Sequence, residues 1–225
     1  MSYSRRTTLI LLLMVLAASC TVYAEEFVFG VKHDKSLRSG KGKLIVTEDG
    51  IEFQAEKAKD TRRWIYRDIK SVDILSPQRL IIQTYEDPKW KLRADRAFAF
   101  EIVEGEITEA VYQFFLTKID KPITARVRFS SPDSMYQLAV KHRHRLGGCQ
   151  GTLKLTKDRM VYDTENSEDR RTWFYKDIES MGSSDPFSLR VTSYAETFTF
   201  ELKERLNSEA YEYLWEQVYR VRVGH

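Results

Sequence analysis

The chain predicts a mainly β protein with some helix, built as two tandem units. Each unit is expected to be a seven-stranded, partly open barrel capped by a C-terminal helix. Three observations point there. Residues 31–71 return at 140–180 in the same order, at a constant offset of 109. Val31-Lys32-His33 comes back as Val140-Lys141-His142, and Trp64, Tyr66, Asp68, Ile69 and Ser71 come back as Trp173, Tyr175, Asp177, Ile178 and Ser180. Most of each copy alternates apolar and polar residues with period two, as half-buried strands do. Each copy then ends on apolar residues spaced by three and four, one face of a helix.

The chain opens on a leader. Ser4-Arg5-Arg6 is a positive n-region, and Thr7 to Ala18 is an apolar run of twelve. That length suits a signal-peptide core and is short for a bilayer span. Residues 1–24 are therefore assigned to a signal peptide, and the protein is expected to be exported, periplasmic or secreted. Val22-Tyr23-Ala24 fits a small-x-small cleavage site before Glu25. Leu16-Ala17-Ala18-Ser19-Cys20 resembles an imperfect bacterial lipobox, in which Cys20 would be lipidated and the protein membrane-anchored. The residues favour cleavage after Ala24. Whichever holds, Cys149 keeps no partner in the chain, so a disulfide framework is excluded.

Of 225 residues, about 200 remain after the leader, enough for two domains of about 90–100. Charged residues are 31% and aromatics 12%, a soluble globular composition. The formal charge is +3, two of it in the leader. That balance argues against nucleic acid as a partner, which calls for a strongly basic domain.

In the first unit, residues 26–119, the strands read in order. Phe27 to His33 is a β-type run, and Lys43 to Thr47 follows. Glu48-Asp49-Gly50 is a hairpin turn with glycine at the position that needs positive φ. Ile51 to Gln54 alternates, Arg63 to Arg67 is a fourth strand, and Asp68 to Ile74 gives a turn and a fifth. Arg79 to Tyr85 and Ala97 to Ile102 complete the set. From Thr108 to Ile119 the apolar residues fall on a helical face, with Thr108 as its cap. The second unit, residues 135–223, closes alike, with Ala210, Leu214, Val218 and Val221 on the stripe. Phe114, Phe115, Leu214 and Trp215 read as core.

The copies differ at one place. The first carries nine extra residues within Glu86 to Arg96, after which the offset becomes 100, so that Phe98, Phe100 and Ala110 match Phe198, Phe200 and Ala210. Residues 120–134 read as a linker, although Ile123 to Phe129 alternates and is able to pair as an extra strand.

Trp64-x-Tyr66-x-Asp68-Ile69-Lys70-Ser71-Val72, a Leu-rich strand, the Phe-x-Phe-Glu-Ile strand and a closing helix resemble the pleckstrin-homology-like superfold. The nearest flavour is the GRAM and bacterial PH-like type, and Trp173-Phe174-Tyr175-Lys176-Asp177-Ile178 shows it again. The resemblance implies a binding module for lipid headgroups, peptides or partner proteins, non-catalytic and without cofactor, although fold alone does not fix function. Lipid-binding members hold phosphates with basic residues on the first two strands. Lys32, Lys35, Arg38, Lys41 and Lys43 stand there as candidate anion contacts. The second copy keeps Lys141 but has Gln150 and Thr152 in place of Lys41 and Lys43.

The extra segment offers the other candidate. Lys89-Trp90-Lys91-Leu92-Arg93, with Arg96, interleaves cations with Trp and Leu. Such a tip suits an anionic membrane surface or a protein partner; a hairpin that folds Trp90 back onto the sheet is the plainer reading. His142 and His144 sit two apart, but no cysteine or carboxylate recurs beside them at ligand spacing, which weighs against a metal. Asp68 and Asp177 read as turn residues bonding the backbone. No G-x-S-x-G, H-E-x-x-H, P-loop or dinucleotide glycine pattern is present. The expectation is an exported, non-enzymatic binding module recognising a protein partner or membrane surface. Its rivals are a metal-dependent hydrolase using His33, His142 and His144, and a structural subunit pairing through sheet edges.

Overall fold

The computed structural model describes residues 25–34, 40–86, 95–129 and 133–223, with residues 221–223 described by backbone alone. Fifteen strands and two α-helices are present among them. The strands are β1 (Phe27–Asp34), β2 (Gly40–Thr47), β3 (Gly50–Ala55), β4 (Arg62–Trp64), β5 (Ile69–Ser76), β6 (Arg79–Thr84), β7 (Arg96–Glu104) and β8 (Ile123–Ala125). They continue as β9 (Tyr136–Arg143), β10 (Gly148–Leu155), β11 (Arg159–Thr164), β12 (Arg171–Phe174), β13 (Ile178–Gly182), β14 (Ser188–Ser193) and β15 (Thr197–Leu202). The helices are α1 (Glu109–Lys118) and α2 (Ser208–Val223).

The expected pair of separate seven-stranded barrels, each with its own capping helix, is not what forms. All fifteen strands belong to one open, mixed sheet in the order β13-β14-β15-β9-β10-β11-β12-β8-β5-β6-β7-β1-β2-β3-β4. The cause is β8, which lies in the segment expected to be a linker. Val72, Asp73 and Ile74 of β5 pair in parallel with Ile123, Thr124 and Ala125, and Ala125 also faces Thr172 of β12. Ile123 and Ala125 are fully buried, so the alternation noted there marks a core strand. An unpaired strand edge is costly when covered. β8 fills the edge of both halves at once and so fuses them.

Within this sheet two apolar clusters form. The first gathers Phe53, Trp64, Phe98, Phe100 and the inward residues of β1 to β8, and takes in Phe174 from the second half. The second gathers Tyr162, Trp173, Phe198 and Phe200. The alternation of β1 is plain: Phe29, Val31 and His33 point in, and Val28 and Lys32 point out. Equivalent aromatic anchors play equivalent parts. Trp64 and Trp173 are both buried; Tyr66 donates its hydroxyl to the Thr47 carbonyl, and Tyr175 donates to that of Thr156. The segment expected as a fourth strand ends early, at Trp64, and passes into a single 3-10 turn over Tyr66–Asp68. At Gly50, φ is +156° and a Cβ would lie 2.2 Å from the Trp64 carbonyl, so the hairpin tolerates no side chain there.

Thr108 caps α1 by accepting from the Val111 N–H, and Val111, Tyr112, Phe114 and Phe115 are buried. Tyr112 reaches across to the second half: its ring stacks on Phe129 and tilts against Phe174, 5.4 Å away. So α1 packs Val111, Phe114 and Phe115 into the first cluster while Tyr112 reaches the junction of the halves. Arg159 reinforces the joint. It reaches Glu109 at 3.5 Å and lies over the Phe174 ring. On α2, Ala210, Leu214 and Val218 are buried as expected. Trp215 is not core: it is half exposed and leans on Tyr219. Val221 lies outside the residues whose side chains are described. Among the described residues no helix is long and apolar enough to cross a membrane.

Candidate functional site

β1 and β2 bring three of the candidate anion contacts together. Lys32 on β1 stands directly opposite Lys41 on β2, and Lys43 follows Lys41 by two, on the same face. All three line an open cleft of about 730 Å³ with Gln54, Glu56 and Glu104. Like charges placed opposite each other in a sheet destabilise it. Lys32 is partly compensated by Glu101, 3.6 Å away. Lys41 and Lys43 make no ion pair among the described residues. Lys35 and Arg38 lie outside the described residues.

The equivalent place in the second half is built differently. Lys141 stands opposite Gln150 in the same register, and Gln150 accepts a 2.6 Å hydrogen bond from Lys203. At the position of Lys203 the first half has Val103, which leaves the cleft open.

Lys89, Trp90, Lys91, Leu92 and Arg93 lie outside the described residues. Arg96, at the base of that segment, pairs with Glu86 at 3.5 Å and covers the Phe98 ring. It is therefore engaged in holding the base. Cys20 also lies outside the described residues.

The histidines do not form one group. His33 is buried against Phe53, Phe98 and Phe100 in the first half. His142 and His144 come together with Asp169, with ligand atoms of all three within 4.8 Å of one another. Cys149 adjoins the cluster through Asp169. The β9–β10 register sets it directly opposite His142, and its Sγ donates to Asp169 Oδ2 at 2.9 Å. Asn166 steadies both groups, its amide reaching Asp169 Oδ2 at 2.6 Å and Cys149 Sγ at 3.4 Å. Linear spacing missed this cluster because one partner is cross-strand and the other arrives on the 166–169 turn, where the Asp169 N–H bonds the Asn166 carbonyl. The signal available in the sequence was the register itself: a hairpin centred on residues 145–146 sets 142 against 149.

Electrostatics in the cluster follow from its surroundings. Burial, with His144 alongside, holds the His142 imidazole below its ordinary pKa. The hydrogen bond to the Asp169 carboxylate pushes the Cys149 thiol up. Such a thiol is a poor free nucleophile.

Asp68 and Asp177 both close 3-10 turns, as turn residues do, yet their environments diverge. Asp68 is exposed. Asp177 is buried where β8 crosses the second half, and desolvation pushes its carboxyl up to about 7 against a pull from Lys176 and from the Ile123 and Phe174 N–H groups.

No family model matches the chain, and no curated protein matches it. Solved structures give remote likenesses. The C-terminal domain of an unknown protein from Leishmania infantum aligns at 16% identity over 38% of this chain and 84% of its own, with a TM-score of 0.32. The Spt16D Pob3N heterodimer aligns at 12% identity over 76% of this chain and 82% of its own, TM-score 0.31. The hSac2 domain from human phosphoinositide phosphatase Sac2 aligns at 10% identity over 58% of this chain and 90% of its own, TM-score 0.33. Likeness of this degree assigns neither a family nor an activity.

Proposed function

We propose that the protein is an exported, non-catalytic recognition protein, its two halves PH/GRAM-like in strand order, that holds an anionic group in the cleft between β1 and β2. The observation that carries this reading is the convergence of Lys32, Lys41 and Lys43 on one open cleft, while the second half has Gln150 opposite Lys141 and bonds it to Lys203. A facing lysine pair kept in one copy and replaced by Lys141–Gln150 in the other fits a site under functional demand. The group is of phosphate or carboxylate type, presented by a membrane surface or by a partner protein.

The test sets flotation with phosphatidylglycerol vesicles and with phosphatidylcholine vesicles beside a pull-down from envelope extract. Each cation near an anionic surface contributes about 1 kcal/mol, so Lys41→Gln with Lys43→Gln should weaken binding about thirty-fold. Flotation with the anionic vesicles alone assigns a lipid source, and capture sensitive to the same substitutions assigns a protein. Binding indifferent to both substitutions refutes the cleft.

A further inference from the structure

We infer that His142, His144, Cys149 and Asp169 form a binding site for a zinc-class divalent metal, separate from the lysine cleft. The donor set is two imidazoles, a thiol and a carboxylate, a mixture that suits Zn²⁺ far better than Ca²⁺ or Mg²⁺. His142, His144 and Asp169 already converge, with ligand atoms within 4.8 Å of one another, and Cys149 adjoins them through Asp169. His142 Nδ1 lies 3.5 Å from Asp169 Oδ1, His144 Nε2 lies 3.2 Å from Asp169 Oδ2, and Cys149 Sγ lies 2.9 Å from the same oxygen. Tetrahedral zinc with bonds of about 2.0–2.3 Å sets its ligands about 3.3–3.6 Å apart. Small side-chain rotations open the shortest of these separations to that value.

Two features mark the cluster as more than a chance gathering. His142 and Asp169 are each only 8% exposed, and buried His142 Nδ1 faces Asp169 Oδ1 at 3.5 Å, too far for a well-formed hydrogen bond. A buried nitrogen so poorly satisfied costs free energy, which a metal ligand bond would offset. The carboxylate is also held from behind. Asn166 donates to it and in turn accepts from the Glu168 N–H, the kind of outer contact that orients a ligand. Arg171, the nearest cation on β12, is engaged by both oxygens of Glu196.

The duplication supplies an internal control. At the offset of 109, His142, His144, Cys149 and Asp169 correspond to His33, Lys35, Gly40 and Asp60. At these four positions the second copy adds a histidine and a cysteine to a histidine and an aspartate both copies share. Three donors converge, and Cys149, hydrogen-bonded to Asp169, would supply the fourth on rotation of its side chain and close the site as a structural metal site is closed. It would fasten the turn holding Asp169 to the β9–β10 hairpin. Binding converts the Cys149 thiol to thiolate, its proton leaving to solvent as the Sγ–metal bond forms.

The test titrates chelator-stripped protein with Zn²⁺ by calorimetry and with Co²⁺ by absorption. One equivalent of metal per chain is expected, with a tetrahedral cobalt spectrum and a thiolate charge-transfer band. Cys149→Ser should abolish that band, and His144→Gln, on the partly exposed turn, should weaken zinc at least as much as the ~10–100-fold typical of an outer-contact change such as Asn166→Ala. Zinc should also raise the melting temperature of the wild type and not of His144→Gln. Absence of stoichiometric binding, a band that survives Cys149→Ser, or an affinity unmoved by His144→Gln would each overturn the site. Vesicle or partner binding through the lysine cleft should be untouched by these changes, so the two readings fail separately.

Discussion

Asp177 gives a titration whose sign and size follow from its place in the fold. The side chain is buried beside β8, and its carboxyl stands at about 7 against an ordinary 3.8. The folded state therefore holds a proton that the unfolded state releases between those values. Its contribution to stability is complete below pH 3.8, falls as pH rises, and is gone above pH 7. A shift of this size corresponds to about 4 kcal/mol. Asp177→Asn keeps the shape and removes the titration. Urea unfolding of both proteins from pH 4 to pH 8 yields the difference directly, since every other carboxylate is common to the two. The wild type should lose about 4 kcal/mol relative to the variant across that interval, with a flat difference above it. Parallel curves would refute the burial of Asp177, and with it the docking of β8 over the second half.

Two further changes test other parts of the fold. Trp64→Ala and Trp173→Ala each empty a buried indole site and should cost about 3–5 kcal/mol by urea unfolding; a cost below 1 kcal/mol would mean the ring is not core. Deleting Pro88 to Asp95 should leave stability within about 1 kcal/mol. Among the described residues it removes chiefly the half-exposed Lys70–Asp95 ion pair, and the Arg96 N–H already bonds the Glu86 carbonyl at 2.9 Å. If the segment touches a partner or membrane, the deletion should weaken flotation or capture; unchanged binding would remove it as a contact.

The strands of both halves were legible because their inward residues alternate cleanly, as in Phe29, Val31 and His33, or Phe98, Phe100 and Ile102. The helices were legible from their apolar spacing. What escaped was everything set by contact between distant segments. Ile123 and Ala125 carry the alternation of a strand, but nothing local says that β5 and β12 both await it. Trp215 is apolar and follows the buried Leu214, which made it read as core, yet the turn of α2 leaves it half exposed. Asp68 and Asp177 are the same residue in the same motif, yet one is an exposed turn residue and the other is buried beside β8. Cys149 and His142 are seven apart in sequence and opposite each other in register.

The joining of two copies into one sheet by β8 is tested most directly by native-state hydrogen exchange. The Val72 N–H bonds the Pro122 carbonyl and the Arg126 N–H bonds that of Ile74, so both amides report the β5–β8 seam. They should exchange only through the same global opening that exposes the Leu44 and Leu153 amides of the two cores. Seam amides that exchange orders of magnitude faster, with the two cores opening at different free energies, would show two independent units and contradict the fused sheet.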